Sequence, residues 1–142
     1  MSKGNTFEND LLKLIFNATA IANIADNAGT SPLTNLYVSL HSADPGEGGD
    51  QTTSEISYTG YARATVARTS GGWTVTANSV SPVSDISFGA CTAGTASATH
   101  AMIGTAASGT GKCLYKGALD GTISISSGVT PKILAGSTIT ED

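Results

Sequence analysis

The chain has 142 residues, and seven Lys+Arg against eleven Asp+Glu leave it a formal net charge of −4 and a pI near 4.9. A nucleic-acid binder needs a basic stripe to replace phosphate counterions, and an anionic membrane surface makes a similar demand; seven scattered cations supply none, so neither partner is expected. The length suits one ordinary domain that buries roughly two-thirds of its unfolded surface, enough to hold a core without a metal or a disulfide.

Composition then sets the class. Thr (20), Ser (17) and Gly (17) dominate, while charged residues make up only 13% and there are four Pro. Branched Thr favours pleated structure, and Gly and Ser supply the turns between short strands. With 39% apolar residues the chain is not of the disordered type. A mainly β protein with some helix follows.

Residues 1–10 (MSKGNTFEND) are charged where a secretion signal needs an apolar run, and Leu11 to Phe16 is interrupted by Lys13 and too short to cross a bilayer. The expectation is synthesis and folding in a cytoplasm. Cys91 and Cys113 then read as reduced, small apolar residues. Both sit in predicted strands, so a disulfide between them stays open.

Phe7, Leu11, Leu14 or Ile15, and Ala18 recur at helical spacing and predict an N-terminal helix with one apolar stripe. Asn5 is its predicted cap, with Glu8 three residues on. The stripe, with Phe7 and Leu11 at its head, packs on the chain's own sheet or against a neighbouring subunit. Thr19 to Ser31 is read as further helical turns and then a loop, ended by Ser31-Pro32.

Beyond Pro32 the period changes to two. Leu36, Val38 and Leu40 alternate with Tyr37, Ser39 and His41 in a half-buried strand. Asp44-Pro45-Gly46 opens a long turn, and Glu47 to Ser54 reads as an acidic surface loop. Tyr61 to Arg68 is a second strand, joined by a tight Gly71-Gly72 hairpin to Trp73–Ala77. Ile86, Phe88 and Ala90 share a face of the next. Thr99–Gly104 and Lys112–Leu119 flank a loop at Ala106–Gly111, Ile123 and Ile125 lie in a further strand, and Lys132–Thr140 is the last. Seven or eight short antiparallel strands with turns between them predict a jelly-roll-like β-sandwich. The predicted organisation is one domain over residues 1–142, helical in 1–31 and a β-sandwich in 32–142.

No pattern points to catalysis. His41 and His100 are the only histidines, and neither they nor the acids near His41 have the spacing of a zinc or EF-hand site. Ala106-Ala-Ser-Gly-Thr-Gly-Lys-Cys113 resembles a phosphate-binding loop but lacks its first Gly and its last Ser or Thr, so it reads as a hairpin loop. No Gly-x-Ser-x-Gly elbow occurs and no carboxylate pair stands out. No enzyme, cofactor or metal is expected. Arg63, one of only two arginines, reads as a surface charge, as a structural ion pair with Asp44 or Glu55 that ties the long loop to the sheet, or as a contact to a neighbouring subunit. Tyr58, Tyr61, Trp73 and Phe88 read as core, Tyr58 and Tyr61 also as interface anchors.

Several segments carry a resemblance. Phe7-Glu-Asn-Asp-Leu-Leu12, Leu36-Tyr-Val-Ser-Leu-His-Ser-Ala-Asp-Pro-Gly46, Tyr58-Thr-Gly-Tyr-Ala-Arg63, Asn78-Ser79, Ile86-Ser-Phe88, Thr99-His100, Leu114-Tyr-Lys-Gly-Ala-Leu119 and Ser137-Thr-Ile-Thr140 follow one pattern in order. The chain thereby resembles a family of small tailed-phage virion proteins, labelled tail fibre, minor capsid or capsid decoration proteins. The resemblance implies a virion component. The favoured expectation is a decoration (cement) protein on the capsid exterior, assembled in the host cytoplasm. It would bind the major capsid protein and form a homo-oligomer, a dimer or trimer. A tail or tail-fibre-associated protein is the alternative, and a carbohydrate-binding module a third possibility.

Overall fold

The computed structural model describes residues 5–21 and 32–141. The protein is mainly β, with one short helix followed by antiparallel strands in three sheets. Helix α1 spans Asn5–Asn17. Glu8, Leu12 and Phe16, four residues apart, form its most buried line, while Leu11, Leu14 and Ile15 are half-buried. The inward face is thus turned by one position from the predicted stripe. The side chains of Asn5 and Phe7 lie outside the described residues, as does most of the predicted Thr19–Ser31 segment. The helix ends where Ala18 turns left-handed (φ 53°) and the Thr19 N–H reaches back to the Lys13 carbonyl at 3.1 Å.

Nine strands follow among the described residues: β1 Asn35–His41, β2 Ala64–Ala67, β3 Trp73–Thr76, β4 Ser79–Pro82, β5 Ile86–Ser87, β6 Ala96–Gly104, β7 Cys113–Ile125, β8 Lys132–Ile133 and β9 Ile139–Thr140. They form a four-stranded sheet β2-β1-β6-β7, a three-stranded sheet β3-β4-β9 and a two-stranded sheet β5-β8. The predicted last strand is thus two short ones in different sheets.

Two compact units interleave along the sequence. The first comprises the described residues of Met1–Asn35, Ala67–Ile86 and Ile133–Asp142. In it α1 packs on β3 and β4, and Phe16 meets Trp73 edge-to-face with ring centroids 4.8 Å apart. Arg68 closes the C-terminal end of α1: its guanidinium donates to the carbonyls of Leu14 and Ile15, and to Leu33 at 3.1 Å. These helix-end carbonyls have no partner within the helix, and a cation there also suits the helix dipole. The expected Gly71-Gly72 hairpin is corrected, because β2 and β3 belong to different sheets. The tight turn is instead Ala77-Asn78, with Ala77 at φ 53°, joining β3 and β4 in the register Thr76↔Ser79.

The second unit comprises Leu36–Val66 and Ser87–Lys132. β1 runs antiparallel to β6 from Tyr37↔Gly104 to His41↔His100. Strand β7, read from sequence as two strands, is continuous but irregular. Between the pairs Ala98↔Ile123 and His100↔Ala118, residues 119–122 of β7 stand opposite Thr99 alone. The residues between the two predicted strands therefore form a bulge within one strand.

β1 also departs from simple alternation. Leu36, Val38 and Leu40 are buried as predicted, but Ser39 and His41 are fully buried too. The covering element is the loop after β1, whose Ile56 N–H donates to the Leu40 carbonyl (3.0 Å) and whose Ser54 carbonyl accepts from Ser42 N–H (2.9 Å).

Candidate functional site

The most organised polar cluster lies within the second unit, around Arg63 in the segment leading into β2. Arg63 is 8% exposed, and every nitrogen of its guanidinium has a partner. Nε and Nη2 donate to the two carboxylate oxygens of Glu55, at 2.8 and 2.7 Å. Nη1 donates to the Ala106 carbonyl at 2.9 Å, and Nη2 also to the carbonyls of Gly109 (2.8 Å) and Gln51 (3.2 Å). A planar fork can serve this many acceptors at once, which a Lys ammonium cannot. The Glu55 hydrogen bonds push the Arg63 pKa upward, so the charge is permanent.

Tyr61 extends the cluster by donating to Glu55 Oε1 at 3.0 Å and accepting from Leu40 N–H at 3.1 Å. Burial raises its phenol well above the ordinary value, with the nearby Glu55 charge adding to the effect.

Gln51 completes the joint. It is fully buried, accepts from Ala106 N–H through Oε1 (2.9 Å), and donates its own N–H to the Gly111 carbonyl (3.0 Å). Its side chain occupies space that only glycines leave open. A Cβ on Gly104 would lie 2.2 Å from Gln51 Cδ, and one on Gly111 2.0 Å from Oε1. The stretch expected to be a solvated surface loop therefore sends a residue into the interior. The reason is that the hairpin loop between β6 and β7 has backbone groups needing partners, and Gln51 offers both a donor and an acceptor.

Behind Arg63 sits His41, whose Nδ1 lies 2.8 Å from the Thr53 carbonyl and Nε2 2.8 Å from Ser39 Oγ. A carbonyl only accepts, so Nδ1 carries the proton and Nε2 accepts from the Ser39 hydroxyl. Burial lowers the His41 pKa, which keeps the ring neutral.

Of the residues singled out from sequence, Arg63 and Glu55 come together. Asp44 does not join them, and that part of the expectation is corrected. Asp44 is held by Gly46 N–H (2.9 Å) and by Lys116 Nζ (2.9 Å), which also approaches Glu47 at 3.3 Å. The Gly46 N–H, with Lys116 beside it, draws the Asp44 pKa downward. The turn at Pro45-Gly46 holds Asp44 close to its own backbone, in reach of β7. Tyr58 is 7% exposed, donates to the Gly89 carbonyl at 2.7 Å and packs on Tyr61 at 5.3 Å, so it serves the core of its own unit rather than an outer surface. Leu11 is half-buried on α1.

Gln51, Gly104, Gly111 and Arg68 escaped the sequence reading, and His41, weighed there as a metal ligand and as an outward residue of its strand, is fully buried. The scarcity of arginine was the available signal, and it pointed at Arg68 as well as at Arg63. Near the Lys116 pairs a cleft of about 480 Å³ is lined by Gly46–Asp50 and Lys112–Lys116. Among the described residues no group of His, Cys, Asp and Glu converges as a metal site, and no helix is long and apolar enough to cross a membrane. Cys91 and Cys113 are both free thiols.

The family model described as "Podophage GP4 fiber I protein gp80" matches residues 2–141. No curated protein matches the chain. The chain belongs to this phage family and is a structural component of a tailed-phage virion.

Proposed function

We propose that this member of the fibre-named podophage family is a non-enzymatic subunit of the tail-fibre apparatus, acting through binding alone. The observation that carries the placement is the family match over residues 2–141, whose description names a fibre protein. The Arg63 cluster accords with a scaffold role: its polar groups are spent on one another and on backbone carbonyls, and none is left poised toward a substrate. Such a subunit contributes free energy by engaging neighbouring virion proteins, including copies of itself, at many equivalent positions. With a net charge of −4, contact with nucleic acid or an anionic membrane forms no part of this role.

Capsid decoration is the second reading. The acidic balance favours it, since a protein on the outer shell needs no affinity for the packaged genome. There the partner is the major capsid protein. A phage lacking the gene separates the two. Tail placement predicts heads as heat-resistant as wild type with adsorption to cells lost, and a few to dozens of copies per particle. Genome loss on mild heating with normal adsorption, and hundreds of copies per head, defeats the tail reading.

A further inference from the structure

Strand β7 carries the one place in the sequence where Asp or Asn is followed by Gly, Asp120-Gly121. It falls in the bulge, where the β6–β7 pairs stop at Ala118 and resume at Ile123. Both residues are exposed, and the Asp120 carboxylate has no hydrogen bond or ion pair among the described residues. A Cβ on Gly121 would meet nothing within 4 Å. The other described aspartates outside the helix are restrained. Asp44 is held by Gly46 N–H and Lys116 and is followed by Pro45, which has no N–H. Asp50 accepts from the Thr52 N–H and hydroxyl at 2.8 and 2.6 Å, and Asp85 from Ala135 N–H at 3.0 Å.

An unrestrained Asp before Gly has a reaction open to it. The Gly121 nitrogen attacks Cγ of the protonated Asp120 carboxyl; the N–Cγ bond forms, and the N–H proton and the carboxyl OH leave together as water. The product is a five-membered succinimide. A second water then adds to the ring carbonyl that was the Asp120 peptide carbonyl and breaks its bond to nitrogen. The chain now runs through Cγ as an isoaspartyl residue, and the former peptide carbonyl is a carboxylate. One water leaves and one enters, nothing is oxidised or reduced, and the single negative charge is retained. Ring closure needs the backbone at 120–121 to rotate, which a laddered strand opposes and an unpaired bulge allows. It also needs a small, freely rotating successor, which Gly provides.

We infer that Asp120-Gly121 is a site of spontaneous isoaspartate formation in the folded protein. The bulge also decides the consequence. Isomerisation inserts one atom into the main chain, and here that atom joins four residues that already stand opposite Thr99 alone. The pairs His100↔Ala118 and Ala98↔Ile123 on either side keep their register, so the modified chain stays folded. A virion subunit is not replaced after assembly, so the converted fraction rises with the age of the particle.

The test holds the purified full chain under native conditions at physiological temperature for several weeks. Isoaspartate is read by methyl transfer from S-adenosylmethionine with an isoaspartyl methyltransferase and placed by peptide mapping. A synthetic peptide of residues 117–124 gives the rate of the unconstrained sequence. Asp120 should convert in the folded protein at a rate comparable to the peptide, while Asp44, Asp50 and Asp85 stay unmodified. The aged protein should melt like the fresh one. Gly121→Ala, whose methyl enters open space, should melt like wild type and convert about tenfold more slowly, a barrier about 1.4 kcal/mol higher. Asp120→Asn should reach the same succinimide by losing ammonia, read as a gain of negative charge with time. An unconverted Asp120 in the folded protein overturns the inference, because the fold then protects the site. Equal conversion at Asp85, an undiminished rate in Gly121→Ala, or an unchanging charge in Asp120→Asn overturns it too. A lower melting temperature in the converted protein defeats the claim that the bulge absorbs the added atom.

Discussion

Arg63 and Glu55 meet in a two-pronged ion pair at 2.8 and 2.7 Å, with side-chain exposures of 3% and 17%. The pair joins segments only eight residues apart, but through Ala106 and Gly109 the same guanidinium reaches more than forty residues along the chain. A local pair thereby fixes a long-range contact.

Removing one member leaves the other buried without its counter-charge. Arg63→Ala should therefore destabilise the protein by about 3–5 kcal/mol, read as a lower urea midpoint with an unchanged slope. Arg63→Lys should recover only part, because an ammonium cannot serve the carboxylate and both hairpin carbonyls together. Lys116→Ala, which removes the solvent-exposed pairs to Asp44 and Glu47, should leave the midpoint unmoved. A large effect at Lys116 and none at Arg63 would invert this ranking.

The glycines around Gln51 give a test of packing. Gly104→Ala and Gly111→Ala each place a methyl on the Gln51 side chain, which is fully buried and cannot swing into solvent without losing its Ala106 bond. Each should cost about 1–3 kcal/mol. In a Gln51→Ala background the penalty should largely disappear at Gly104, whose three nearest atoms all belong to Gln51, and persist in part at Gly111, where a Cβ would still lie 2.8 Å from the Ala106 Cβ. Additive effects in the double variants would show that the glycines matter for another reason.

His41 sets an acid limit. Its pKa is lowered in the folded protein, so between the unfolded value near 6.5 and the lower folded value the unfolded chain binds more protons. Stability should accordingly be independent of His41 above about pH 6.5. It should fall as the pH drops below that, with a limiting slope of about 1.4 kcal/mol per pH unit until the folded pKa is reached. Denaturant titrations at pH 7.5, 6.5 and 5.5 measure the slope. His41→Gln should flatten it; an equal slope in that variant would assign the effect elsewhere.

The two thiols should differ in reactivity. Cys91 is 1% exposed and Cys113 half-buried, its pKa raised by that burial. A thiol reagent at neutral pH should label Cys113 slowly and leave Cys91 untouched until the protein is unfolded. Non-reducing mass spectrometry that found them joined would contradict the free-thiol state.

How much of this was legible beforehand follows from the range of each interaction. Periods of 3.6 and 2 are local, and from them the sequence by itself determined an N-terminal helix, the buried Leu36-Val38-Leu40 row and the Ala106–Gly111 hairpin loop. Rarity flagged Arg63, and Glu55 was among its two candidate partners. The choice of Glu55 over Asp44 was not readable, because both carboxylates lie in the same acidic, turn-rich stretch. Only the tertiary structure decided it, by placing Asp44 against Lys116, a residue 72 positions away. The same holds for Gln51, whose burial depends on Gly104 and Gly111 more than fifty positions on, and for Gly71-Gly72, whose flanking strands went to different sheets. Turn propensity acts over about four residues, whereas sheet membership depends on which faces bury the most apolar surface, a property of the assembled fold and not of any window of the chain.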